Sequence, residues 1–247
     1  MTLNPLYHFT GKDSLNAILK GAFRVSFARE NIIALGEVRE FLVPVVCFSD
    51  WANEELKSNC NKYEGYGIGL SKAWANRNKL NPVWYVNRDS DVMWRLMSGV
   101  QEVYDLIEQT LDPDLDATLR RAYMDTLNTY RYIKNYRGHL IRKTVLVDRD
   151  YPFYDEREWR FVPPHDRESI PAFIPVEWFD KYGGKVGLNK LVEKEELRFE
   201  AKDIECLVVP HDSDVAPLKA HLQTLSAVYD APSITRLQGL IVTHGGL

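Results

Sequence analysis

Apolar and polar positions alternate with a period of two near both ends of the chain and recur every three or four residues in its middle. Leu6 to Thr10 is a short β-prone run. Gly11 to Ser14 follows with a turn and an N-cap, supplied by Asp13 or Ser14. Leu15, Ile18 and Leu19 share one helical face, and Gly21 suits the position just past a helix end. Phe23, Val25 and Phe27 alternate as in a half-buried strand. Leu42 to Phe48 is almost wholly apolar and predicts a central strand beginning after Pro44, since proline cannot donate to a ladder. Tyr66 to Ser71 and Asn81 to Val86 predict further strands, with a short helix opening at Lys72.

The middle is helical. Val92, Leu96, Val100, Val103, Ile107 and Leu111 lie on one stripe, and Leu115, Leu119, Tyr123, Leu127 and Tyr130 on a second. Asp112-Pro113 separates them with an N-cap and a first-turn proline, and Gly138 ends the helical stretch. β-prone runs return at Lys143 to Val147, Glu158 to Val162, Leu197 to Phe199 and Ile204 to Val209. A helix is expected from Ala216 to Ala227 and a last strand at Leu240 to Thr243. The expected class is α+β: one domain over 1–247 with a helical insertion at 90–137.

Composition narrows the function classes. With 45% hydrophobic and 12% aromatic residues among 247, the chain has ample surface to bury and is not a disordered tail. No apolar run reaches the roughly 20 residues of a bilayer span, and the first residues lack a secretory pattern, so no membrane association and a cytoplasmic location are expected. A net charge of −4 predicts no general attraction to nucleic acid or anionic lipid. Cys47, Cys60 and Cys206 are widely spaced, which argues against a zinc site or disulfide framework.

Four stretches could carry chemistry. In Tyr7-His8-Phe9-Thr10, alternation sends Tyr7 and Phe9 to one face and leaves His8 and Thr10 on the other, where an imidazole could hold a sugar hydroxyl or amide. The competing reading is a histidine satisfied by backbone. In Tyr154 to Phe161, Glu156, Glu158 and Arg160 share a face, and Trp159 and Phe161 point to the core. Two carboxylates so placed could steady an oxocarbenium ion and orient a hydroxyl, or could be a solvated face whose ion pairs contribute about 0–1 kcal/mol. Phe48-Ser49-Asp50 ends an apolar strand and could line a crevice or cap a helix. Tyr63 to Lys72 places Gly65, Gly67 and Gly69 in alternation, which leaves room for a flat ligand or for close strand packing. It lacks the third glycine of a dinucleotide fingerprint and the Gly-Lys-Ser/Thr of a P-loop.

Taken in order, Tyr7-His8-Phe9-Thr10, Pro44 to Asp50, Tyr66-Gly67-Ile68-Gly69-Leu70-Ser71-Lys72 with Trp74, Asn81-Pro82-Val83 with Tyr85, and Glu156 to Arg160 resemble the AbiGi family of abortive phage-resistance proteins, catalogued as antitoxins. Ser49 departs from the cysteine or other small residue expected there. More distantly, the early His-Phe-Thr and the late glutamate are similar to DarT-like ADP-ribosyltransferases. That second resemblance implies an ADP-ribosyltransferase-like mixed sheet with NAD as substrate. Glu158 would be the catalytic glutamate, Glu156 its partner, and His8 the holder of ribose or amide. Tyr66 or Ser49 would be the middle element; Gly67 and Gly69 would leave room for nicotinamide, and Thr10 would join the site. Arg24, Lys72 or Arg160 would meet the pyrophosphate.

The leading expectation is therefore a phage-defence or toxin–antitoxin protein transferring ADP-ribose to a nucleic-acid or protein target. The alternative is a non-catalytic antitoxin or sensor that binds a cognate partner through the tyrosine-rich insertion. A Mg²⁺ nuclease built on Asp50, Glu156 and Glu158 ranks last.

Overall fold

In a computed structural model, the residues described are 4–34, 36–52, 55–56, 64–142, 145–164 and 170–246. Tyr63, Lys143 and Cys60, all named above, lie outside them. The chain opens with β1 (Leu6–Thr10), α1 (Lys12–Ile18), β2 (Ala22–Arg24), β3 (Ser26–Ala34), β4 (Glu37–Ser49), β5 (Tyr66–Leu70), α2 (Lys72–Arg77), β6 (Asn81–Pro82) and β7 (Trp84–Val86). The helical pair is α3 (Asp91–Gln109) and α4 (Pro113–Tyr130), followed by β8 (Ile133–Asn135), β9 (Gly138–Arg142), β10 (Val145–Tyr151) and β11 (Glu158–Phe161). The chain closes with β12 (Ile174–Pro175), α5 (Gly184–Lys190), β13 (Glu196–Arg198), β14 (Ile204–Val209), α6 (Asp212–Gln223), α7 (Ala231–Gly239) and β15 (Ile241–Thr243).

The mixed α+β class is as expected. Among the described residues the main sheet runs β15-β14-β5-β1-β4-β11-β6, with β3 and β12 also paired to β4. Its pairs are antiparallel except β14 with β15. One face carries the larger core, where Leu6, Phe48, Ile68, Leu70 and Leu207 meet Leu15 of α1, Leu19 just past its end, Trp74 of α2, Leu222 of α6 and Leu237 of α7. Each such side chain contributes about 1.5–3 kcal/mol on burial. The other face carries a smaller cluster of Tyr7, Phe9, Trp51, Leu56, Cys206 and Val208. The insertion packs back through Met93, which joins Ile32 and Ile133, whereas α4 has no buried residue.

Several boundaries differ from expectation. The strand does not begin after Pro44; β4 runs through it. Phe27 gives its N–H to Asn189 Oδ1 at 3.1 Å, so Phe27 and Pro44 face each other without exchanging ladder bonds. The missing donor then points into the gap between the β4 stretch paired with β12 and that paired with β11. Gly138 does not end a helix: α4 stops at Tyr130, and Gly138 starts β9. The helix expected at 216–227 begins earlier, at Asp212. A further helix, α7, was not anticipated, although Asp230 caps it by accepting from Ser233 N at 2.9 Å.

One irregularity of the sheet matters for the site. β1 pairs with β5 over its full length but with β4 only at Tyr7↔Ser49. Beyond that pair the sheet opens between β1 and β4.

Candidate functional site

β11 lies beside β4 with Glu158 opposite Ser49 and Arg160 opposite Cys47. Tyr7, Ser49 and Glu158 are therefore cross-strand neighbours on one face. On that face the charged side chains meet partners from distant elements. Arg160, 0% exposed, donates from Nε to Glu158 Oε1 at 2.6 Å, from one terminal nitrogen to Glu30 Oε1 of β3 at 2.7 Å, and from the other to the Arg131 carbonyl at 2.7 Å. Lys134 of β8 lies 2.6 Å from Glu158 Oε2 and 2.8 Å from Glu156 Oε2. Arg157, in the left-handed region at φ 43°, closes the turn of 3₁₀ helix Phe153–Glu156 and so brings both carboxylates to one ammonium.

The electrostatics follow from this packing. Burial by itself pushes the Glu158 carboxyl up, but Arg160 and Lys134 together outweigh it and hold it well below the usual carboxylate range. Burial likewise favours neutral Lys134, and Glu156, Glu158 and Glu30 more than reverse this, so the ammonium persists above its usual range. Glu30 goes the other way, since burial raises its carboxyl further than Arg160 and Lys134 lower it. The Cys47 thiol beside Glu158 is pushed well up by burial and by that carboxylate.

The alternation expected for this strand holds over Glu158–Phe161, whereas Glu156 lies in the preceding 3₁₀ helix rather than on the strand, and the burial order is inverted. Glu158 and Arg160 are buried, while Trp159 and Phe161 are only half-buried against the larger core. The reason lies outside the strand. Val83 N–H donates to the Glu158 carbonyl at 2.8 Å, the Tyr85 hydroxyl accepts from Glu158 N–H at 2.8 Å, and Trp84 N–H donates to Tyr132 O at 2.7 Å. Chain segments before and after the insertion thus close over the charged face. Neither a solvated face nor an open acid pair describes it.

His8 leaves the sheet on the opposite face from Glu158. Its ring packs on Phe23 and Phe48 at 5.2 and 5.7 Å, and Nδ1 donates to the Cys47 carbonyl at 2.8 Å across the opening between β1 and β4. Burial pushes the imidazole down, which keeps it neutral near pH 7. His8 and Glu158, expected to meet across one cleft, leave the sheet on opposite faces yet line one hollow of about 210 Å³, with Ser49, Lys134 and Glu156. The volume lies below the roughly 300–1,000 Å³ of ordinary small-molecule sites.

The other candidates are dispersed. Beside Gly67 a Cβ would stand 2.8 Å from the Phe9 ring, and beside Gly69 one would stand 3.0 Å from the Tyr7 ring. Neighbouring aromatics therefore occupy the room reserved for a nicotinamide. The Tyr66 hydroxyl donates to Asp214 Oδ1 at 2.6 Å; desolvation and then that carboxylate raise it to about 12. Thr10 is its cross-strand neighbour. Lys72 is ion-paired with Asp50 and sits 4.3 Å above the Trp159 ring, away from any pyrophosphate position near Glu158. Asp50 is thus engaged by Lys72, and among the described residues no group of three His, Cys, Asp or Glu side chains is placed to hold a metal ion. Sequence reasoning missed Lys134, Glu30 and Arg131. The one available signal was charge inside β-prone runs, as in Ile133-Lys134-Asn135.

Fold and site together define a mixed α+β protein with a buried ion-pair cluster next to where a helical hairpin returns to the sheet. The chain belongs to the AbiGi family, described as "Putative abortive phage resistance protein AbiGi, antitoxin", which matches residues 23–210. It is 23% identical over 148 residues to the abortive phage resistance protein AbiGi of Lactococcus lactis subsp. cremoris, covering 56% of this chain and 57% of that protein. The chain thus spans little more than half the length of the curated relative it matches. No solved structure matches it. Among the described residues no helix is long and apolar enough to cross a membrane.

Proposed function

We propose that the protein is the antitoxin-type member of a phage-defence pair and acts by binding a protein partner, the cognate toxin, through its helical insertion. The observation that carries this reading is the state of the hairpin. None of the eighteen residues of α4 is buried. Along the pair Val92, Trp94, Tyr104, Leu106 and Leu115 are exposed, and Leu111 at the tip is 98% exposed. Exposed apolar surface of this kind marks interaction sites. Two adjoining hollows of about 570 and 440 Å³ flank the hairpin and share Tyr123, Leu127 and Phe173. Their walls include Met93, Met97, Met124 and Phe41, a lining suited to an amphipathic helix laid apolar side down.

Co-expression with the product of the adjacent gene tests this. The pair is expected to co-purify. Leu106→Asp with Leu111→Asp is expected to release the partner, with circular dichroism and thermal midpoint unchanged because both side chains are exposed. A partner retained by the double variant sinks the proposal.

A second reading, transfer of ADP-ribose from NAD to a nucleic-acid or protein target, is supported by the hollow that Glu158, Glu156, Ser49 and His8 border. In it the Glu158 carboxylate would take the ribose 2′-hydroxyl and steady the oxocarbenium ion. Release of nicotinamide from NAD by the purified protein is expected on this reading, and its absence refutes it.

A further inference from the structure

Where β1 parts from β4, the sheet opens onto a pocket of about 700 Å³ between α1, the β2–β13 pair and the β3–β4 hairpin. Its volume falls within the roughly 300–1,000 Å³ of small-molecule sites. It lies on the face that carries His8 and Phe23, away from Glu158 and from the insertion. Its lining has a definite chemistry. Lys20, Arg24 and Arg198 set three cations against one carboxylate, Glu196, in a chain whose net charge is −4. Glu196 is opposite Arg24 across the β2–β13 pair but bonds to Arg198 at 2.5 Å. Lys20 and Arg24 have no ion-pair partner among the described residues.

His8 adds the second, independent requirement. Because its Nδ1 must donate to the Cys47 carbonyl, the ring of the neutral tautomer presents Nε2 as an acceptor, and Nε2 has no partner among the described residues. A bare anion offers this nitrogen nothing, whereas a sugar hydroxyl donates to it. The hydroxyls of Thr10, Ser14 and Ser26 supply further polar contacts along the same wall, and Phe23 and Ile18 supply apolar area.

We propose that this pocket binds a phosphorylated sugar of the kind a nucleotide carries, with phosphate on Lys20, Arg24 and Arg198 and a ribose-type hydroxyl on His8. The Glu158 cluster takes no part, so the site is one of recognition. It shares His8 and Arg24 with the NAD reading but rests on a different pocket and needs no transfer reaction. A chain that releases no nicotinamide, or an insertion variant that loses its partner, leaves it standing.

The test is calorimetric titration of the whole protein with AMP and ribose 5-phosphate, alongside inorganic phosphate and free ribose. Saturable binding of the two phosphorylated sugars is expected, at least tenfold tighter than inorganic phosphate, with none for ribose. Lys20→Glu with Arg24→Glu changes two exposed side chains, so it is expected to keep the thermal midpoint and weaken binding tenfold or more. His8→Phe is expected to erase the preference for ribose 5-phosphate over phosphate. No saturable binding in the millimolar range, equal binding of inorganic phosphate by the unaltered protein, or affinity unchanged by the charge reversals overturns the proposal.

Discussion

Replacing Glu158 by glutamine keeps the shape of the side chain and removes its charge, which separates a buried ion pair from an exposed one. Were the strand face solvated, the change would cost about 0–1 kcal/mol. In the structure Glu158 is 5% exposed and bridges Arg160 and Lys134 at 2.6 Å each. Breaking one side of a buried pair costs about 3–5 kcal/mol, because the opposite charge stays desolvated. Here each cation keeps a second acid, Glu30 for Arg160 and Glu156 for Lys134. The lower end applies, about 3 kcal/mol. At about 2–4 °C per kcal/mol for a chain of this size, the thermal midpoint falls by about 6–12 °C. Thermal and urea unfolding followed by circular dichroism measure it. A Lys134→Met arm completes a double-mutant cycle, with a coupling of about 1 kcal/mol or more expected between the two sites. A midpoint within about 2 °C of the unaltered protein would refute the argument, since that is the signature of a surface pair.

Two further outcomes follow from the same packing. Gly67→Ala forces a Cβ to 2.8 Å from the buried Phe9 ring, and a loss of about 1–3 kcal/mol in urea unfolding is expected; an unchanged midpoint would mean that the ring is free to move. For pH, Glu158 is held low, so its stabilisation is present above the unfolded carboxyl value of about 4.3 and is lost as pH falls below it. Glu30 is held high, so its share is present below about 4.3 and is lost as pH rises through its folded value. Glu158→Gln is therefore expected to flatten the acid limb of stability against pH, and Glu30→Gln the decline at higher pH. Unfolding free energies across that range check both, and identical profiles in the two variants would contradict the assignment.

How much of this was legible depends on the range of the interaction. The alternation in Tyr7 to Thr10 placed the aromatics and the histidine on opposite faces, because strand geometry is local. The two helical stripes gave α3 and α4 for the same reason. The face shared by Glu158 and Arg160 was legible too, but its burial was not. That depends on Glu30, 130 residues from Arg160, and on Lys134, 22 residues from Glu156. No periodicity within the strand encodes such a cover. The glycines of Tyr66 to Leu70 were open to either reading, and register decided between them, since Gly67 and Gly69 pair with Phe9 and Tyr7. α7 could have been found from Asp230-Ala231-Pro232, a capping pattern as plain as Asp112-Pro113.

The charged cluster also says how a hairpin with so little burial can present a defined surface. α4 contributes no buried side chain, and the hairpin's apolar hold on the body is the small cluster of Met93 with Ile32 and Ile133, on which Leu96, Met97 and Tyr130 pack. Apolar contact alone leaves such an excursion free to tilt. The residues that return the chain to the sheet are Arg131, whose carbonyl accepts from Arg160, and Lys134, which binds both Glu156 and Glu158. Charge-assisted bonds are directional and expensive to leave half made. They fix where α4 ends relative to β11 even though the helix above is exposed. On the proposed function, Glu158 would act on partner binding at a distance, by setting the angle at which the hairpin offers Leu106 and Leu111. Loosening the cluster is expected to weaken docking without touching a residue of the docking face, and equal affinity for the partner in Glu158→Gln, measured below its lowered midpoint, would separate the two.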